Sequence, residues 1–253
     1  MSLAHVIEDV DEDPHRERDF YEYPTLYEFY HSRVLNRDAQ VRLLRRYEPE
    51  ETSRVLELGC GTGPLLTRIE DEYETVLGVD SDERMLRRAR ERVTDAEVQR
   101  ADFTAWSAAD EGRTFDVAVL LGGMLHLTDD ADVESLAENV HESLRDGGAF
   151  VTFFQPLSDD VTNGSTDCRT VESERFTVER RSTTALTSAA GHYTTTYAFV
   201  LRDDAEGTEA TMGSVFRGRF HDPDRLRETF RAAGFGDVDV VDGDGPAVLR
   251  AVK

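Results

Sequence analysis

The sequence predicts an α/β fold: a seven-stranded, mainly parallel sheet flanked by helices, with an antiparallel β cap inserted after the fifth strand. Three observations lead to this prediction. Short apolar segments rich in β-branched residues alternate with helical patterns between residues 54 and 154. The first of these segments runs into a glycine-rich turn at residues 59–63. After Pro156, Thr-rich stretches of alternating polarity follow one another between Gly, Asp and Ser turns, which is typical of antiparallel strands.

The composition fits one domain and limits the class of partner. The chain has 253 residues, of which 39% are hydrophobic, enough for one ordinary core. It carries 52 acidic against 29 basic residues, a formal net charge of -23. A protein this acidic repels phosphates, so its charge disfavours a nucleic-acid partner and binding to an anionic membrane surface.

The basic residues are almost all arginine, and Lys253 is the only lysine. An acidic surface with arginine in place of lysine resembles proteins of salt-loving organisms, where the screening length falls to about 3 Å near 1 M salt. We therefore predict a halophilic protein whose fold loosens on dialysis into low salt, because repulsion between its carboxylates is then unscreened. Circular dichroism across a salt series measures this effect. Full stability in dilute buffer would contradict it.

The two cysteines, Cys60 and Cys168, lie far apart in the sequence. Their positions form neither a disulfide framework nor a metal-ligand spacing, and we predict no metal site. The chain begins without an apolar leader and contains no long apolar run. These observations predict a cytoplasmic protein.

Two segments precede the first predicted strand. Residues 1–19 are polar and acidic and are predicted to form a mobile tail or a loose first helix. Residues 20–47 contain an aromatic cluster, and the near-helical spacing of Tyr27, Tyr30 and Val34 predicts one or two helices. The aromatic rings fit packing against a sheet edge. The tyrosine hydroxyls also fit lid helices over a binding cleft, since buried hydroxyls need partners.

The remaining elements follow from periodicity and turn residues. The predicted strands of the main sheet are 54–58, 75–79, 96–99, 115–121, 149–154, 238–241 and 247–252, and the predicted helices are 64–73, 82–92, 130–144 and 223–234. Ser81 is predicted to cap the second of these helices. The β cap is predicted over residues 165–220, with strands at 176–185, 193–202 and 210–220.

Two acidic residues lie at predicted strand ends. Asp80 ends the second strand, a little over twenty positions after Glu57, and Asp102 follows the third strand. In nucleoside-binding sheets, an acid at the tip of the second strand accepts hydrogen bonds from both ribose hydroxyls. The glycines of the first turn let the backbone approach a ligand closely. Together these features predict a nucleotide-like ligand at the carboxyl edge of the sheet.

Five segments, in this order, resemble the class I S-adenosylmethionine-dependent methyltransferases. They are residues 57–63 (ELGCGTG), 79–86 (VDSDERML), 101–103 (ADF), 115–116 (FD) and 144–148 (LRDGG). The likeness covers roughly residues 21–154. A narrower resemblance is to small-molecule N- and O-methyltransferases, among them amino-sugar dimethylating enzymes and glycine methyltransferases. It rests on the tyrosines of residues 20–47, the β cap and residues 219–235. The resemblance implies a Rossmann-like sheet and transfer of a methyl group to a nitrogen or oxygen of a small molecule by in-line displacement.

The resemblance implies S-adenosylmethionine as cofactor and a set of residues that bind it. These are Tyr21, Tyr30, Arg33, Glu57, Gly59, Cys60, Gly61, Gly63, Asp80, Ser81, Met85, Ala101, Asp102, Phe103, Leu121 and Gly122. Glu57 would orient the ligand's ammonium group or the loop, usually through water. Asp80 would hold the ribose hydroxyls, and Asp102 would accept from the adenine amine. Arg33 would pair with the carboxylate, although a solvated helix charge explains it equally well.

The candidate catalytic residues are His126, after the fourth strand, and Gln155, after the fifth. Both follow strand carboxyl ends, where the methyl acceptor should bind. A hydroxyl acceptor needs a base, whereas an amine need only be neutral, so a dedicated base is not obligatory. His126 could equally cap the following helix. Cys60 is better explained as a packing residue than as a nucleophile.

Two other functions remain open from the sequence. A dinucleotide-dependent oxidoreductase is disfavoured because Gly59, Gly61 and Gly63 are evenly spaced rather than following G-x-G-x-x-G. A non-catalytic S-adenosylmethionine-binding regulator is compatible with every residue above. A homodimer formed through the β cap is one arrangement that the layout allows.

Overall fold

Two β-sheets organise the chain in a computed structural model that describes residues 2–157, 164–241 and 246–253. The chain divides into two units. The first comprises Met1–Asn36 and Asp159–Gly218, and the second comprises Arg37–Ser158 and Arg219–Lys253. The single-domain layout predicted from the sequence is therefore built as two separately packed units, each with its own sheet.

The elements are as follows. The helices are α1 (Leu3–Glu12), α2 (Pro24–Val34), α3 (Arg37–Tyr47), α4 (Leu66–Ile69), α5 (Glu83–Arg90), α6 (Asp130–Ser143) and α7 (Pro223–Ala232), and 3₁₀ turns lie at Phe20–Glu22, Ala108–Glu111 and Met124–His126. The strands are β1 (Arg54–Leu58), β2 (Thr75–Asp80), β3 (Glu97–Arg100), β4 (Phe115–Leu120), β5 (Leu144–Phe154), β6 (Ser165–Glu172), β7 (Phe176–Leu186), β8 (His192–Asp203), β9 (Thr208–Arg219), β10 (Asp237–Val241) and β11 (Ala247–Val252).

The second unit is built on a seven-stranded sheet with the order β10-β11-β5-β4-β1-β2-β3. Strands β1 to β5 pair in parallel, and β10 and β11 pair antiparallel at one edge. This confirms the predicted seven-stranded, mainly parallel sheet. Every residue of β4 is buried, as its continuous apolar sequence predicts for a central parallel strand. Because β1, β2 and β4 run in parallel, the segments that follow them emerge at the same edge.

The first unit is built on a four-stranded sheet with the order β6-β7-β8-β9. Strands β6, β7 and β8 pair antiparallel, so the predicted antiparallel insertion after the fifth strand is confirmed. Helices α1 and α2 supply apolar side chains to the core of this unit, next to Val178, Phe199 and Leu201 of the sheet. Of the predicted lid helices, α2 thus belongs to the first unit and α3 to the second.

Of the two alternatives predicted for residues 1–19, a mobile tail and a loose first helix, the structure contains a helix, and this helix is packed rather than loose. Residues Leu3–Glu12 form α1, and Leu3, Val6, Ile7 and Val10 are buried in the first unit. These four residues have the i, i+3, i+4, i+7 spacing of an amphipathic helix, which the surrounding acidic residues obscure in the composition. The side chain of Ser2 caps the helix by accepting from the His5 N–H.

Several predicted boundaries differ in the structure. The helix predicted at 64–73 shortens to α4, because turns occupy the rest of the segment. The N-cap of α5 is Asp82, which accepts from the Arg84 N–H, and not Ser81. Strand β6 was missed because its exposed, polar residues carry little apolar alternation. In the part of the chain that the structure describes, no helix is long and apolar enough to span a bilayer.

Candidate active site

The turn after β1 presents backbone at the carboxyl edge of the parallel sheet. Gly59, Gly61 and Gly63 have φ angles of 64°, 56° and 74°, which lie in a region that residues with a Cβ rarely adopt. The Cys60 N–H donates to the Val79 carbonyl oxygen at 3.0 Å and ties the turn to the end of β2. The even glycine spacing seen in the sequence therefore corresponds to three left-handed positions in one turn.

Cys60 packs inside this turn. Its side chain is buried. Burial raises the pKa of the Cys60 thiol well above its ordinary value, and the nearby Glu57 and Asp80 carboxyl groups raise it further. A thiol held in this protonated form is a poor nucleophile. The interpretation of Cys60 as a packing residue is confirmed, and its role at the cofactor stays a prediction.

Asp80 joins the tip of β2 to the glycine turn. Its Oδ2 accepts from the Gly61 N–H at 2.8 Å, and its Oδ1 accepts from the Asp82 N–H at 2.9 Å. Burial raises the pKa of Asp80, and these two backbone donors act in the opposite direction. Each carboxylate oxygen can accept more than one hydrogen bond. Asp80 can therefore hold the turn and still accept from a pair of ligand hydroxyls.

Glu57 is a buried acid without a hydrogen-bond partner. Its side chain lies near the carboxyl end of β1, and Oε2 accepts no hydrogen bond from the described residues. Burial raises the pKa of Glu57 from 4.5 to about 8, Arg37 lowers it and Asp80 raises it. The contribution of Arg37 was not foreseen, because nothing in the sequence indicates that the start of α3 lies near the end of β1. A buried, unsatisfied carboxyl group is costly for a protein unless a ligand completes it.

Asp102 and its neighbours follow β3 at the same edge of the sheet. Asp102 is exposed, and its Oδ1 accepts from the Thr104 N–H at 3.0 Å and from the Thr104 hydroxyl at 2.8 Å. The Ala101 N–H donates to the Asp80 carbonyl oxygen at 3.1 Å, which sets Asp102 beside the tip of β2. Phe103 packs against the core of the second unit. Oδ2 of Asp102 takes no part in these two hydrogen bonds and is available to accept one from a ligand.

The remaining predicted cofactor residues of the second unit lie at the ends of β2 and β4. Met85 is buried in α5, and Ser81 is exposed at the end of β2. Leu121 packs on the core, whereas Gly122 is exposed with a φ of 127° and has open space where a Cβ would lie. Backbone at Gly122 is thus accessible to a ligand. The individual roles of these residues stay predictions.

His126 ends the 3₁₀ turn Met124–His126 and is exposed. Two side chains, one from the end of β9 and one from the segment that follows it, hold this region. His221 is buried, and its Nε2 lies 2.8 Å from the Met124 carbonyl oxygen. Arg219 Nη1 donates to the Thr128 carbonyl oxygen at 3.2 Å and to Asp130 Oδ1 at 2.8 Å. Arg219 therefore ties the end of β9 to the start of α6.

Gln155 lies just beyond β5 and is exposed. Its carbonyl oxygen accepts from the His221 N–H at 3.0 Å, and the Leu157 N–H donates to the His221 carbonyl oxygen at 2.9 Å. His221 therefore connects both predicted catalytic segments, through its backbone to Gln155 and through its ring to the His126 turn. Sequence reasoning did not assign His221 this role, because the signal is a contact between positions almost a hundred residues apart.

Three predicted cofactor residues belong to the first unit. Tyr30 is buried among Phe20 and Phe199, with ring centroids 6.2 and 6.1 Å away. Arg33 donates to the carbonyl oxygens of Phe29 and Glu172, each at 2.9 Å. Tyr21 packs edge-on against Phe20. Arg33 is exposed in the last turn of α2, so the alternative of a solvated helix charge stays open, and the cofactor roles of Tyr21, Tyr30 and Arg33 stay predictions.

The residues of the second unit fit S-adenosylmethionine. The orphaned buried Oε2 of Glu57 suits an ammonium group, and the glycine turn offers backbone that no side chain covers. Asp80 and Asp102 supply carboxylate oxygens at the tips of adjacent strands, which suits a ribose and an adenine amine. Donors and acceptors of this type, arranged in this order along one sheet edge, match the groups of that molecule.

Comparison with known proteins supports this interpretation. Residues 55–148 match the Methyltransf_25 family, described as a methyltransferase domain. A segment of 141 residues is 30% identical to the dTDP-3-amino-3,6-dideoxy-alpha-D-glucopyranose N,N-dimethyltransferase of Streptomyces fradiae, and covers 55% of this chain and 54% of that protein. The chain thus spans about half the length of this curated relative.

Solved structures with the same fold match most of the chain. Streptomyces venezuelae DesVI has a TM-score of 0.78 at 22% identity, covering 89% of this chain and 97% of that one. CalS10, an amino pentose methyltransferase from Micromonospora echinaspora solved with bound S-adenosylmethionine, has a TM-score of 0.76 at 21% identity, covering 94% and 99%. The family match shows that residues 55–148 are similar to a methyltransferase domain, and the solved structures show that the chain has the same fold as these methyltransferases.

Proposed function

We propose that this protein is an S-adenosylmethionine-dependent methyltransferase that methylates a nitrogen or oxygen of a small molecule. The observation that carries the proposal is the edge formed by the glycine turn, Glu57 and Asp80. Glu57 keeps a buried oxygen without a partner, and Asp80 is held against the turn by the Gly61 N–H. The family match over residues 55–148 supports the same activity.

The chain's own residues would mainly bind and orient. Asp80 would accept from the ribose hydroxyls, Asp102 from the adenine amine, and Glu57 would pair with the ammonium group. Bound S-adenosylmethionine supplies an electrophilic methyl group whose thioether leaving group needs no protonation. Alignment of the methyl donor and acceptor then provides most of the rate enhancement. Positioning of this kind can lower the activation free energy by about 7–11 kcal/mol.

His126 is the residue that we propose to handle a proton of the acceptor. It is exposed at the carboxyl edge of the sheet, on a turn held by His221. An imidazole there can accept the proton that an ammonium or hydroxyl acceptor must lose. Gln155, also exposed, can donate and accept hydrogen bonds to orient the acceptor.

The first acceptor class to test is an amino sugar carried on a nucleotide. The Streptomyces fradiae relative is named for a dTDP-linked amino sugar, and CalS10 is described as an amino pentose methyltransferase. N-methylation is thus favoured over O-methylation. Panels of amino sugars, simple amines and hydroxylated acids, assayed by mass spectrometry with S-adenosylmethionine present, distinguish these acceptors.

We expect His126→Ala to lower kcat by about 10²- to 10⁴-fold if His126 takes the proton, a range typical of general bases. Binding of S-adenosylhomocysteine should be unchanged, because His126 is not among the residues assigned to the cofactor. His192→Ala, in the first unit, is the matched control and should retain wild-type turnover. Unaltered kcat for His126→Ala across the pH range would show that no base is used there.

The same assays separate the two other functions. Binding of S-adenosylhomocysteine without turnover on any acceptor would favour a regulatory protein, and binding of NAD without S-adenosylhomocysteine would favour an oxidoreductase. The cytoplasmic location, the halophilic surface and a homodimer through the inserted sheet remain predictions of the sequence. Sedimentation at high salt measures the oligomeric state directly.

A further inference from the structure

The inner face of the inserted sheet changes from apolar to polar along its length. Val178 of β7 pairs with Val171 on one side and Leu201 on the other, and all three are buried. Two residues further along β7, Arg180 occupies the same face, because alternate residues of a strand share a face. Its partners across the sheet are Arg169 and Phe199. Arg180 thus lies on the same face of the sheet as the buried apolar core of the first unit and immediately beside it.

Arg169 and Arg180 lie directly opposite each other on paired strands. Like charges at such a position repel and destabilise a sheet unless an anion lies between or beside them. Arg180 forms an ion pair with Asp167, whose side chain is 53% exposed. One carboxylate for two guanidinium groups leaves a local positive charge in a chain whose net charge is -23.

Two polar atoms beside this pair are buried and have no hydrogen-bond partner among the described residues: the Tyr30 hydroxyl and Arg180 Nε. The Arg180 guanidinium carbon lies 5.4 Å from the centroid of the Tyr30 ring and 5.6 Å from that of Tyr197. Burial raises the pKa of Tyr30, while Arg180 and Arg169 lower it, so the hydroxyl is protonated at neutral pH. Both orphaned atoms are therefore hydrogen-bond donors.

The same face continues with neutral donors. Ser182 and Thr195 are buried, and Thr184 Oγ1 lies 2.8 Å from Thr195 Oγ1. The Thr184 and Thr195 hydroxyls bond to each other, so the unsatisfied donors of this face are those of Tyr30 and Arg180. Beyond Val178, the face is thus polar rather than a further apolar core.

We propose that Arg169, Arg180 and the Tyr30 hydroxyl form a binding site for an oxyanion, a phosphate or a carboxylate of a small molecule. Guanidinium groups bind such oxygens through parallel N–H donors. The Tyr30 hydroxyl would donate a further hydrogen bond to the same oxyanion. The assignment of this oxyanion to the methyl acceptor rests on the proposed function. The site itself does not, because it lies wholly within the first unit.

The experiment is calorimetric titration at constant high ionic strength, with no turnover required. The probes are inorganic pyrophosphate, thymidine diphosphate, citrate, and thymidine as the uncharged control. Wild-type protein is expected to bind at least one of the three anions and not thymidine. Preference for thymidine diphosphate and pyrophosphate identifies a phosphate site, and preference for citrate identifies a carboxylate site. If none of the anions binds, the proposal is wrong.

Arg180→Gln is expected to weaken binding of the preferred anion by at least about tenfold, the effect of losing a charged hydrogen bond. Arg181→Gln is the matched control, since Arg181 is the next residue of β7, faces the opposite side and pairs with Glu179. Equal affinities for the two variants would overturn the proposal. If Arg180→Gln does not fold, Arg180→Lys, which keeps the positive charge, replaces it in the same titration.

Tyr30→Phe separates the ligand role from packing. The hydroxyl has no partner among the described residues, so its removal should leave the thermal midpoint unchanged or raised, while anion affinity falls about three- to tenfold. Unchanged anion affinity would remove Tyr30 from the site. Titration of S-adenosylhomocysteine into the wild-type protein tests the proposed function separately. If S-adenosylhomocysteine does not bind, the methyltransferase proposal is refuted and the anion result stands.

Discussion

Asp80→Ala is expected to weaken the binding of S-adenosylhomocysteine by more than about tenfold, equivalent to the 1.5–3 kcal/mol of a charged hydrogen bond. In the structure the carboxylate accepts from the Gly61 N–H at 2.8 Å, which holds the glycine turn. Its proposed second role is to accept from both ribose hydroxyls. Its removal therefore costs the ligand contact and the order of the turn together.

Isothermal titration of wild-type and variant protein measures this effect. Asp80→Asn retains an acceptor oxygen and an uncharged amide, so its affinity should fall between those of wild type and Asp80→Ala. Asp95→Ala removes an exposed acid elsewhere on the second unit and controls for the loss of one charge. Wild-type affinity in Asp80→Ala would show that Asp80 does not hold the ribose.

Glu57 should release close to one proton when S-adenosylhomocysteine binds at pH 7. Burial raises the pKa of Glu57 to about 8, so the carboxyl group is mostly protonated in the free protein at that pH. Pairing with the ligand's ammonium requires the carboxylate, and the proton must leave. Affinity should accordingly rise by about tenfold for each unit by which the pH is raised toward 8 and level off above it, since one pKa unit is 1.36 kcal/mol.

Titrations in buffers of different ionisation enthalpy count this proton. In Glu57→Gln the release should vanish and the affinity should become independent of pH over the same range. Glu74→Gln, at an exposed acid of the second unit, is the matched control. Proton release that persists in Glu57→Gln would show that another group pairs with the ammonium.

Glu57 also predicts how stability depends on pH. The folded protein holds the Glu57 proton up to a pKa of about 8, whereas the unfolded chain loses it near 4.5. Between these values the folded state binds more protons, so the free energy of unfolding falls as the pH rises, by up to about 5 kcal/mol from this one group. Glu57→Gln should abolish that decline, which urea titrations at pH 5, 7 and 9 would reveal.

The cofactor edge was largely predictable from the sequence because its signals are local. The three glycines of the first turn mark left-handed backbone, and Asp80 and Asp102 each follow a strand whose apolar residues predict its end. In a parallel sheet the carboxyl ends of the strands lie at one edge. Residues that follow different strands are therefore close together in space. The buried environment of Glu57 and the influence of Arg37 on its pKa were not predictable in this way.

The N-terminal segment shows where local reasoning failed. The acidic composition of residues 1–19 led to the prediction of a mobile tail or a loose first helix, although Leu3, Val6, Ile7 and Val10 have the spacing of a helix with one apolar face. An amphipathic helix this short is stable only when another surface covers its apolar face. That surface is the inserted sheet, from which α1 is separated by more than a hundred and fifty residues of sequence.

The sequence by itself determined the order of strands and helices in the second unit, the glycine turn, and the acids that point to the methyl donor. These depend on backbone preference and on periodicity, which neighbouring residues specify. Only the tertiary structure decided that His221 joins the segments of His126 and Gln155, that Glu57 has a buried oxygen without a partner, and that Arg169 faces Arg180. These depend on strand register and on burial, because contacts between distant residues and the loss of solvent around a charge arise only when the chain has packed.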